Sequence, residues 1–515
     1  MVSYLQEARL HLKDTQSLCP KCLKVIPAKV YAENGVVYIE KTCPEHGYFK
    51  DIYWGDAELY QQWNNWHFIG NGIENPRTPT KQGCPYDCGL CPEHQSHTVL
   101  AIIDVTNRCN LRCPICFAYT GMPVCEPSLE EIDEMLRNLR ANKPYAPTAI
   151  QFSGGEPTLR DDLPEIIRAA KRHGFKHVEV DTNGIRLAED IDYFRQLLDA
   201  GMSTLYLSFD GLREEIYHKL RGQNVLPHKL KVIENARKLG LESIVLVVTL
   251  TKGVNDRDVG DIIRFAAENS DVVRCVNVQP IAFAGAGKQE SLMESRITIP
   301  DFLHLVEQQT EGKIKASDFR PVTWPTPIAL AMGVLRNHQY PLFTAHPHCG
   351  AATFMVVERK SEGEAEIAPI TKYADVDALA RHFMEIYEEA KKGSKLKAKF
   401  KLVSAAKYIK GKLLRDLFLD VLKSGTYEAL GKFMRKVVMI GCMHFMDAWN
   451  FDLDRVRRCV IHYATIDGRI IPFCAFNNIH RAPYEEKYSI PYEEWLKKRR
   501  EEKLVKAAPL SKHSS

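Results

Sequence analysis

The amino-acid sequence predicts an α/β protein built around a partial (β/α)6 barrel. Six short apolar stretches, typical of buried strands, alternate with amphipathic stretches of helical periodicity between residues 99 and 281. Turn-forming and polar residues follow successive strands, at 153–158, 181–184 and 208–211. Six consecutive β-α units favour a parallel sheet that curves into an incomplete barrel. In such sheets the reactive residues gather at the carboxyl ends of the strands.

Each element of the barrel is predicted from its own pattern. The predicted strands are the apolar, β-branched stretches at 99–105, 148–153, 176–181, 204–209, 243–250 and 272–279. The predicted helices are the amphipathic stretches around 129–141, 162–173, 187–200, 213–220, 228–239 and 256–269. Ser128 and Glu131 form a capping box at the start of the first helix.

The regions on either side of the barrel differ from it in composition. Residues 1–98 are irregular and rich in cysteine, proline and glycine, which predicts an N-terminal metal-binding domain before a barrel domain at 99–300. Residues 301–490 are mainly helical until cysteines and turns return near the end. Residues 491–515 predict a charged helix followed by a polar tail.

Composition limits the function classes that the chain can have. The 515 residues carry a formal net charge of +4, which gives no sign of a nucleic-acid partner. Residues 1–20 hold no apolar leader, and no long apolar window follows, so we expect neither a signal peptide nor a membrane span. The chain has 15 cysteines, which favours metal sites in a reducing, cytoplasmic compartment over disulfides.

Three cysteines directly after the first strand are the most informative motif. Cys109, Cys113 and Cys116 have C-x3-C-x2-C spacing, with the apolar Ile115 before the last of them. Three thiolates this close can hold three corners of a [4Fe–4S] cluster and leave the fourth iron open to a small molecule. The candidate molecule is S-adenosylmethionine (SAM), which one electron from the cluster can cleave to a carbon radical. Ordinary buried cysteines or a zinc knuckle are the alternatives.

Polar residues at the ends of later strands extend this predicted site. The glycines of the segment Gly154-Gly155-Glu156-Pro157 let the backbone approach a ligand, and Glu156 offers an acceptor for an ammonium group. Such a segment alone is more often a turn than a site, but its position after a strand favours a site. The other candidates at strand ends are Asn183, Ser208, Asp210, Asn277 and Gln279.

Over residues 99–281 the cysteine triplet, the Gly-Gly-Glu-Pro segment and the six β-α units resemble the radical SAM superfamily. The resemblance implies a partial TIM barrel of the radical SAM type, in which the triplet holds the reducing cluster. It also implies that Gly154, Gly155, Glu156 and Pro157 contact the methionine amine of SAM. The contacts expected for the rest of the cofactor are Asn183, Ser208, Asp210 and Gln279.

A second triplet repeats the spacing of the first. Cys84, Cys88 and Cys91 precede the first predicted strand and have no Gly-Gly-Glu-Pro partner, so we interpret them as an auxiliary [4Fe–4S] site, with zinc as the alternative. The candidates for a fourth ligand stay open: Cys125, Cys275, His94 and His97.

Two further groups of possible ligands lie outside the barrel. Cys19, Cys22, Cys43 and His46 have the spacing of two facing metal-binding knuckles, which predicts one mononuclear iron or zinc. Near the other end of the chain we assign an auxiliary cluster to Cys349, Cys442, Cys459 and Cys474, with free buried cysteines as the alternative. The last two bracket a predicted hairpin that resembles the auxiliary-cluster, SPASM-like domains of many radical SAM enzymes. The expected total is three [4Fe–4S] clusters.

A basic stretch at 391–415 has nine lysines, one arginine and no acidic residue, with apolar residues between them. This pattern predicts a basic amphipathic helix that binds a membrane surface, and hence a peripheral protein at the inner membrane face. The alternative is a solvated helix whose apolar side lies in the core.

Over about residues 15–480, the order of the cysteine motifs resembles the archaeal tetraether lipid synthases. This resemblance implies an enzyme that abstracts hydrogen from the terminal methyl groups of a long-chain archaeal diether lipid and couples two sp3 carbons. The product would be a tetraether or macrocyclic diether lipid. A reduced ferredoxin-type donor would supply the electrons.

Two alternatives belong to other classes of function. Members of the same group have been described as methyltransferases that modify a dihydropterin with a folate carbon donor, which requires a polar pocket. An iron–sulfur electron carrier would explain the cysteines but leaves the Gly-Gly-Glu-Pro segment and the barrel unused.

Overall fold

The computed structural model describes residues 9–118, 123–285, 290–361 and 364–507. The strands are β1 Leu10–Leu18, β2 Val25–Glu33, β3 Val36–Cys43, β4 Gly47–Trp54, β5 Leu100–Thr106, β6 Ala149–Gly154, β7 His177–Thr182, β8 Thr204–Ser208, β9 Ile244–Leu250, β10 Val273–Pro280, β11 Arg320–Pro321, β12 Gly350–Ser361, β13 Glu364–Pro369, β14 Val437–Met443, β15 Ile461–Ala464 and β16 Ile470–Pro472. The helices are α1 Ala57–Asn64, α2 Leu129–Arg140, α3 Leu163–Arg172, α4 Ile185–Glu189, α5 Ile191–Asp199, α6 Glu214–Arg221, α7 Leu226–Leu239, α8 Val259–Glu268, α9 Ile299–Gln309, α10 Thr326–Arg336, α11 Val376–Lys391, α12 Lys395–Ser404, α13 Lys412–Ser424, α14 Tyr427–Met434, α15 Leu453–Arg457, α16 Phe473–Ala475, α17 Arg481–Tyr488 and α18 Tyr492–Ala507.

The N-terminal strands β1 to β4 form an antiparallel sheet in chain order. This sheet is joined to the rest of the molecule by buried charged side chains. Lys41 on β3 donates hydrogen bonds to the carbonyl oxygens of Ala448 (2.7 Å) and Trp449 (2.8 Å). Asp51 on β4 forms an ion pair of 2.7 Å with the buried Arg296. Because burying a charge is costly unless it is paired, these contacts hold the sheet in one orientation.

The six predicted barrel strands are confirmed as β5 to β10, which lie side by side in chain order and are all parallel. Alternating residues of each strand face opposite sides. On β7, Val178 and Val180 pack in the main core, whereas Glu179 and Asp181 line the interior of the barrel. The predicted capping box of Ser128 and Glu131 begins α2.

The sheet is wider than the sequence predicts. β14 pairs in parallel with β10 at one edge, and β15 pairs in parallel with β5 at the other. Beyond them, β12 and β16 pair in antiparallel fashion with β14 and β15. The pairings of β14 with β10 and of β15 with β5 join segments more than 150 residues apart. No local pattern specifies which edge of a sheet such a distant strand will meet.

Residues 391–415 do not form one continuous helix. The end of α11, the whole of α12 and the start of α13 share the stretch, with a short 3₁₀ turn at 405–408 between the last two. On α12, Ala398 is buried, whereas Leu396, Phe400 and Val403 are 71–73% exposed. The apolar side of α12 is therefore only partly in the core, and a contact of this surface with a membrane stays a prediction.

The C-terminal helix α18 packs against the barrel. Trp495 and Arg499 both contact the carboxylate of Glu126, at 3.1 and 2.8 Å, in the segment between β5 and α2. The predicted charged helix is thus an ordered part of the molecule. Residues 508–515, where a polar tail is predicted, lie outside the described residues.

Candidate active site

Cys109, Cys113 and Cys116 lie in the loop that follows β5, at the carboxyl end of the sheet. Ile115 anchors this loop in a small apolar cluster that includes Leu220 of α6. Burial, with the nearby Glu156, Cys113 and Cys116, raises the pKa of the Cys109 thiol to about 12. The three cysteines are partly exposed, and Cys109 and Cys116 line a cavity inside the barrel. A bound metal would stabilise their thiolate forms. This donor set fits a [4Fe–4S] cluster with one open iron.

Two glycines bring the loop after β6 into contact with the cysteine loop. Gly154 has a φ of +126°, which favours glycine, and a Cβ there would collide with the carbonyl oxygen of Thr106. A Cβ at Gly155 would collide with the carbonyl oxygen of Arg108. The N–H groups of Gly155 and Glu156 donate to these two oxygens at 2.7 and 2.8 Å. The close backbone approach predicted for these two glycines is therefore an approach to the cysteine loop.

The carboxylate of Glu156 is fully buried and holds two loops together. One oxygen accepts hydrogen bonds from the backbone and hydroxyl of Thr158 (3.0 and 2.5 Å) and from the hydroxyl of Thr182 (2.7 Å). The other accepts from the backbone N–H of Asn183 at 2.7 Å. Four protein donors already use this carboxylate, so its role is to order the loops after β6 and β7. A direct contact with the SAM amine stays a prediction, as it does for Pro157.

Asp210 forms a buried ion pair with Arg221. Its buried carboxylate accepts two hydrogen bonds from Arg221, at 2.7 and 2.9 Å, and one from the Thr249 N–H at 3.1 Å. Arg221 in turn interacts electrostatically with Cys113 and lines the central cavity. In the structure Asp210 orients Arg221 near the cysteine triplet, and a direct contact of Asp210 with SAM stays a prediction.

Lys229 on α7 is a buried residue that sequence reasoning missed. It donates a hydrogen bond of 2.9 Å to the Ser208 hydroxyl and another to the carbonyl oxygen of Asn183. Burial, with the nearby Arg221, lowers the pKa of Lys229 to about 7. The sequence contained a signal for this burial, because Lys229 lies on the same face of α7 as the buried Val232 and Ala236.

The interior of the barrel carries a polar belt. Asn277 and Gln279 on β10 both donate to the hydroxyl of Tyr206 on β8, the second at 2.9 Å. Asp181 accepts a 2.9 Å hydrogen bond from Ser153, and burial raises the pKa of Asp181 to about 7. Gln279, predicted to contact SAM, thus belongs to a polar group at the centre of the barrel.

A cavity of about 940 Å³ connects the cysteine triplet with the polar belt and continues beneath the C-terminal helices. Near the barrel it is lined by polar side chains, including Asn183, Ser208 and Arg221. Farther out its lining is apolar and comes from residues after 320: Trp324, Ile328, Leu379, Ile409, Phe418 and Phe433. The volume lies at the upper end of the range for small-molecule sites.

The N-terminal knuckles come together as predicted. The ligand atoms of Cys19, Cys22, Cys43 and His46 all lie within 4.8 Å of one another. His46 Nδ1 is 3.5 Å from the Cys43 sulfur and 3.7 Å from the Cys19 sulfur. Three sulfurs and one imidazole nitrogen at this spacing fit a tetrahedral metal ion.

The three cysteines of the second triplet also lie near one another, but the residues considered as a fourth ligand do not join them. Cys84, Cys88 and Cys91 lie within electrostatic range of one another. Cys459 is the other cysteine that affects Cys88. The four candidates for a fourth ligand contact other parts of the molecule.

His94 contacts the carbonyl oxygen of Cys459 at 2.9 Å, and His97 accepts a hydrogen bond from the Leu342 N–H. Cys275 lines the barrel cavity, whereas Cys125 lies near Glu485. The fourth ligand of the Cys84, Cys88 and Cys91 site therefore stays open.

The C-terminal quartet requires a correction. Cys349, Cys459 and Cys474 lie within electrostatic range of one another, but Cys442 packs in the main core, where burial and Asp301 raise its pKa. Side chains alternate along a strand, and Cys442 of β14 shares a face with core residues. The structure thus brings three of the four predicted ligands together.

Two family models match the chain. The model of the Radical SAM superfamily matches residues 103–266, and the HMPTM N-terminal zinc ribbon domain matches residues 11–55. The 7,8-dihydro-6-hydroxymethylpterin dimethyltransferase of Methanocaldococcus jannaschii is 52% identical over 497 residues, which cover 94% of this chain and 97% of that protein. The chain belongs to the family of this dimethyltransferase. It is a radical SAM enzyme with the superfamily's α/β fold and an N-terminal cysteine-rich ribbon.

More distant similarities involve part of the chain. The GTP 3′,8-cyclase of Lactiplantibacillus plantarum is 33% identical over 185 residues, or 35% of this chain and 54% of the cyclase. The chain thus matches about half the length of that enzyme. The crystal structure of Streptococcus suis SuiB bound to S-adenosylmethionine aligns with 42% of this chain and 48% of that chain, at 18% identity and a TM-score of 0.35.

These comparisons correct the functional interpretation. The predicted tetraether lipid synthase activity and its diether lipid substrate are wrong, because the relative that matches over 97% of its length is a dihydropterin dimethyltransferase. The first alternative agrees with this finding. Cysteine spacing is informative about the metal cofactors but carries no information about the substrate. None of the helices in the described ranges is long and apolar enough to cross a membrane.

Proposed function

We propose that this protein is a radical SAM methyltransferase that acts on a dihydropterin. The observation that carries the proposal is the 52% identity to a dihydropterin dimethyltransferase over 97% of that protein. An electron carrier would need neither a cavity beside the cysteine triplet nor the radical SAM barrel, so the enzyme is favoured over that alternative.

The cysteine loop has the features that the cofactor requires. We assign Cys109, Cys113 and Cys116 as ligands of the cluster, with the backbone of Gly154 and Gly155 next to them and Asn183 and Ser208 on the adjacent strand ends. When bound, the cluster and SAM supply a radical that abstracts hydrogen from an unreactive C–H bond. Arg221 lines this end of the cavity and places a positive charge there, and we assign the carboxylate of SAM as its partner.

The polar belt supports a heterocyclic substrate. A dihydropterin is a flat ring system with N–H donors and with nitrogen and oxygen acceptors along its edges. Asp181, Tyr206, Asn277 and Gln279 offer complementary groups inside the barrel, within the same cavity as the cysteine triplet. We assign these residues to substrate orientation. The rest of the cavity leaves room for a second ligand, such as a folate-type carbon donor.

For the N-terminal site we propose zinc. The matching family model is that of a zinc ribbon, and the Cys19, Cys22, Cys43 and His46 set is one that structural zinc uses. Such a site would stabilise the β1–β4 sheet and take no part in the reaction. The auxiliary cluster proposed at Cys84, Cys88 and Cys91 would serve in electron transfer.

The test is product analysis with anaerobically reconstituted, dithionite-reduced protein, SAM and 7,8-dihydro-6-hydroxymethylpterin. We expect 5′-deoxyadenosine and a methylated pterin by mass spectrometry. Separate reactions with isotope-labelled SAM and labelled methylene-folate identify the source of the carbon. A variant with Cys109, Cys113 and Cys116 replaced by alanine should form neither product, whereas the matched Cys442→Ala variant should form both.

Two outcomes would overturn different parts of the proposal. If 5′-deoxyadenosine forms but the pterin is unchanged with either carbon donor, the substrate assignment fails. If wild-type protein with a full complement of iron forms no 5′-deoxyadenosine, the radical chemistry itself fails.

A further inference from the structure

A lysine without a carboxylate partner is buried behind the strand ends of the proposed SAM site. Lys229 on α7 is 0% exposed. Its Nζ donates a 2.9 Å hydrogen bond to the hydroxyl of Ser208, where β8 ends, and another to the carbonyl oxygen of Asn183, which follows β7. Within the described ranges, no carboxylate forms an ion pair with Lys229. The ammonium group therefore joins two strand ends of the barrel through donated hydrogen bonds.

The two carboxylates that act electrostatically on Lys229 are held by other groups. Asp210 accepts two hydrogen bonds from Arg221, and Glu156 accepts four from neighbouring backbone and hydroxyl groups. Because burying a charge that lacks a close partner is costly, a lysine in this position indicates a function that offsets the cost. Burial and Arg221 lower the pKa of Lys229 to about 7, and a carboxylate bound nearby would favour its charged form.

The ammonium of Lys229 determines how the Ser208 hydroxyl can act. A protonated lysine has three donor hydrogens and no acceptor, so the Ser208 oxygen is the acceptor in this pair. The hydroxyl hydrogen of Ser208 is then left for another acceptor, and the described part of the chain supplies none. Ser208 lines the central cavity. Lys229 thus presents Ser208 to the cavity as a hydrogen-bond donor.

The acceptor that suits this end of the cavity is a carboxylate. Asp210, two residues after Ser208, orients Arg221, which lines the same cavity. An arginine and a serine donor, with the positive charge of the lysine behind the serine, favour an anionic oxygen over a neutral one. SAM carries one carboxylate, and two of the cysteines assigned to its cluster, Cys109 and Cys116, line this cavity as well.

We propose that Lys229 is a positioning residue that fixes Ser208 as a hydrogen-bond donor to the carboxylate of SAM. The ammonium occupies the Ser208 oxygen, leaves the hydroxyl hydrogen for the ligand and strengthens its donation by polarising the hydroxyl. A carboxylate held in one position orients the rest of SAM next to the cysteine triplet. The inference rests on the SAM site of the proposed function and does not depend on the identity of the methyl acceptor.

The first experiment is a double-mutant cycle on SAM affinity, measured by equilibrium dialysis with the reconstituted full-length protein at about pH 6.5, below the pKa of Lys229. Lys229→Met should weaken SAM binding by about tenfold in the wild-type background and by less than about twofold in the Ser208→Ala background. Lys231→Met is the matched control, since Lys231 is an exposed lysine of the same helix, and should leave the affinity unchanged. An equal loss in both backgrounds would overturn the proposal, because Lys229 would then act without Ser208.

The second experiment identifies the acceptor. Methylthioadenosine keeps the adenosine part of SAM and lacks its amine and carboxylate. Ser208→Ala and Lys229→Met should weaken the binding of SAM and leave the binding of methylthioadenosine unchanged. Equal losses for the two ligands would overturn the carboxylate assignment alone. A wild-type protein that does not bind SAM would overturn the proposed function together with this inference, so the two failures are distinguishable.

A second variant covers the case in which Lys229→Met does not fold, as judged by iron content and thermal unfolding. Lys229→Gln keeps a polar group at this position, but an amide can either donate or accept and no longer fixes the direction of the Ser208 hydroxyl. We expect SAM affinity to fall by at least about threefold in this variant, and the loss to disappear in the Ser208→Ala background. An unchanged affinity, or a loss that persists without the Ser208 hydroxyl, would equally overturn the role of Lys229.

Discussion

The backbone N–H of Asn183 donates a 2.7 Å hydrogen bond to the carboxylate of Glu156, joining the loops that follow β6 and β7. Both loops face the cysteine triplet, so this bond links two strand ends at the proposed SAM site. The Gly-Gly-Glu-Pro segment is therefore held by its neighbours as well as by its own sequence.

Glu156→Gln should weaken SAM binding. Glutamine has one acceptor oxygen where glutamate has two, and its NH2 group would face donors from Thr158, Thr182 or Asn183. Each hydrogen bond to a charged acceptor contributes about 1.5–3 kcal/mol. We expect SAM affinity to fall by at least about tenfold, measured by equilibrium dialysis on the reconstituted protein.

The matched control for this change is Glu165→Gln, since Glu165 is half exposed and forms an ion pair with Arg168 on the same helix. Its SAM affinity should equal that of the wild type. Equal affinities in Glu156→Gln and wild type would show that the loops keep their arrangement without the carboxylate.

Asp210→Asn should destabilise the barrel near the cluster. The change leaves the guanidinium of Arg221 without its bidentate partner in a buried position. Breaking one side of a buried ion pair typically costs about 3–5 kcal/mol. We expect a lower midpoint of thermal unfolding by scanning calorimetry. Asp192→Asn, which removes an exposed partner of Arg195, is the control and should leave the midpoint unchanged.

Asp181 should make stability depend on pH in a defined direction. Burial is the main cause that raises its pKa from 3.8 to about 7; Glu156 and Asp104 act in the same direction, and Ser153 and Arg221 oppose it. Between about pH 4 and pH 7 the folded state therefore holds a proton that the unfolded state has released. The contribution of Asp181 to stability falls as pH rises through this window and is constant above it.

Asp181→Asn removes this dependence. The unfolding midpoint of the variant, relative to wild type, should rise from pH 5 to pH 7 and then level off, as measured by fluorimetric thermal unfolding. Asp192→Asn again serves as the exposed control, and the difference between its unfolding midpoint and that of wild type should not change with pH. Parallel curves for wild type and Asp181→Asn would mean that the carboxyl is already ionised at pH 5.

His46→Ala should remove the proposed zinc. The side chain supplies one of four ligands, and metal sites of this type contribute to folding of the segments that they join. We expect zinc content to fall by one ion per chain and the β1–β4 sheet to become more sensitive to protease. His11→Ala changes an exposed histidine of the same sheet and should retain the metal. Unchanged zinc in His46→Ala would exclude this histidine as a ligand.

Local patterns in the sequence determined much of this protein. The six β-α units were predictable because strand and helix periodicities are properties of adjacent residues. The association of Cys109, Cys113 and Cys116, and that of Cys19 with Cys22, follows from short spacings that the chain cannot separate far. The glycines of the loop after β6 were recognisable because close backbone approach excludes a Cβ.

The tertiary structure alone decided the rest, because it depends on which distant segments meet. β14 and β15 extend the barrel sheet through pairings that no local periodicity encodes. Cys442 was assigned to a cluster because it is a cysteine. The alternation of side chains along β14 instead places it on the face that packs in the core. Lys229 and Arg221 are buried next to groups that are remote from them in the chain. Substrate choice likewise depends on a cavity whose lining comes from many strands and helices, which is why cysteine spacing predicted the cofactor correctly and the substrate wrongly.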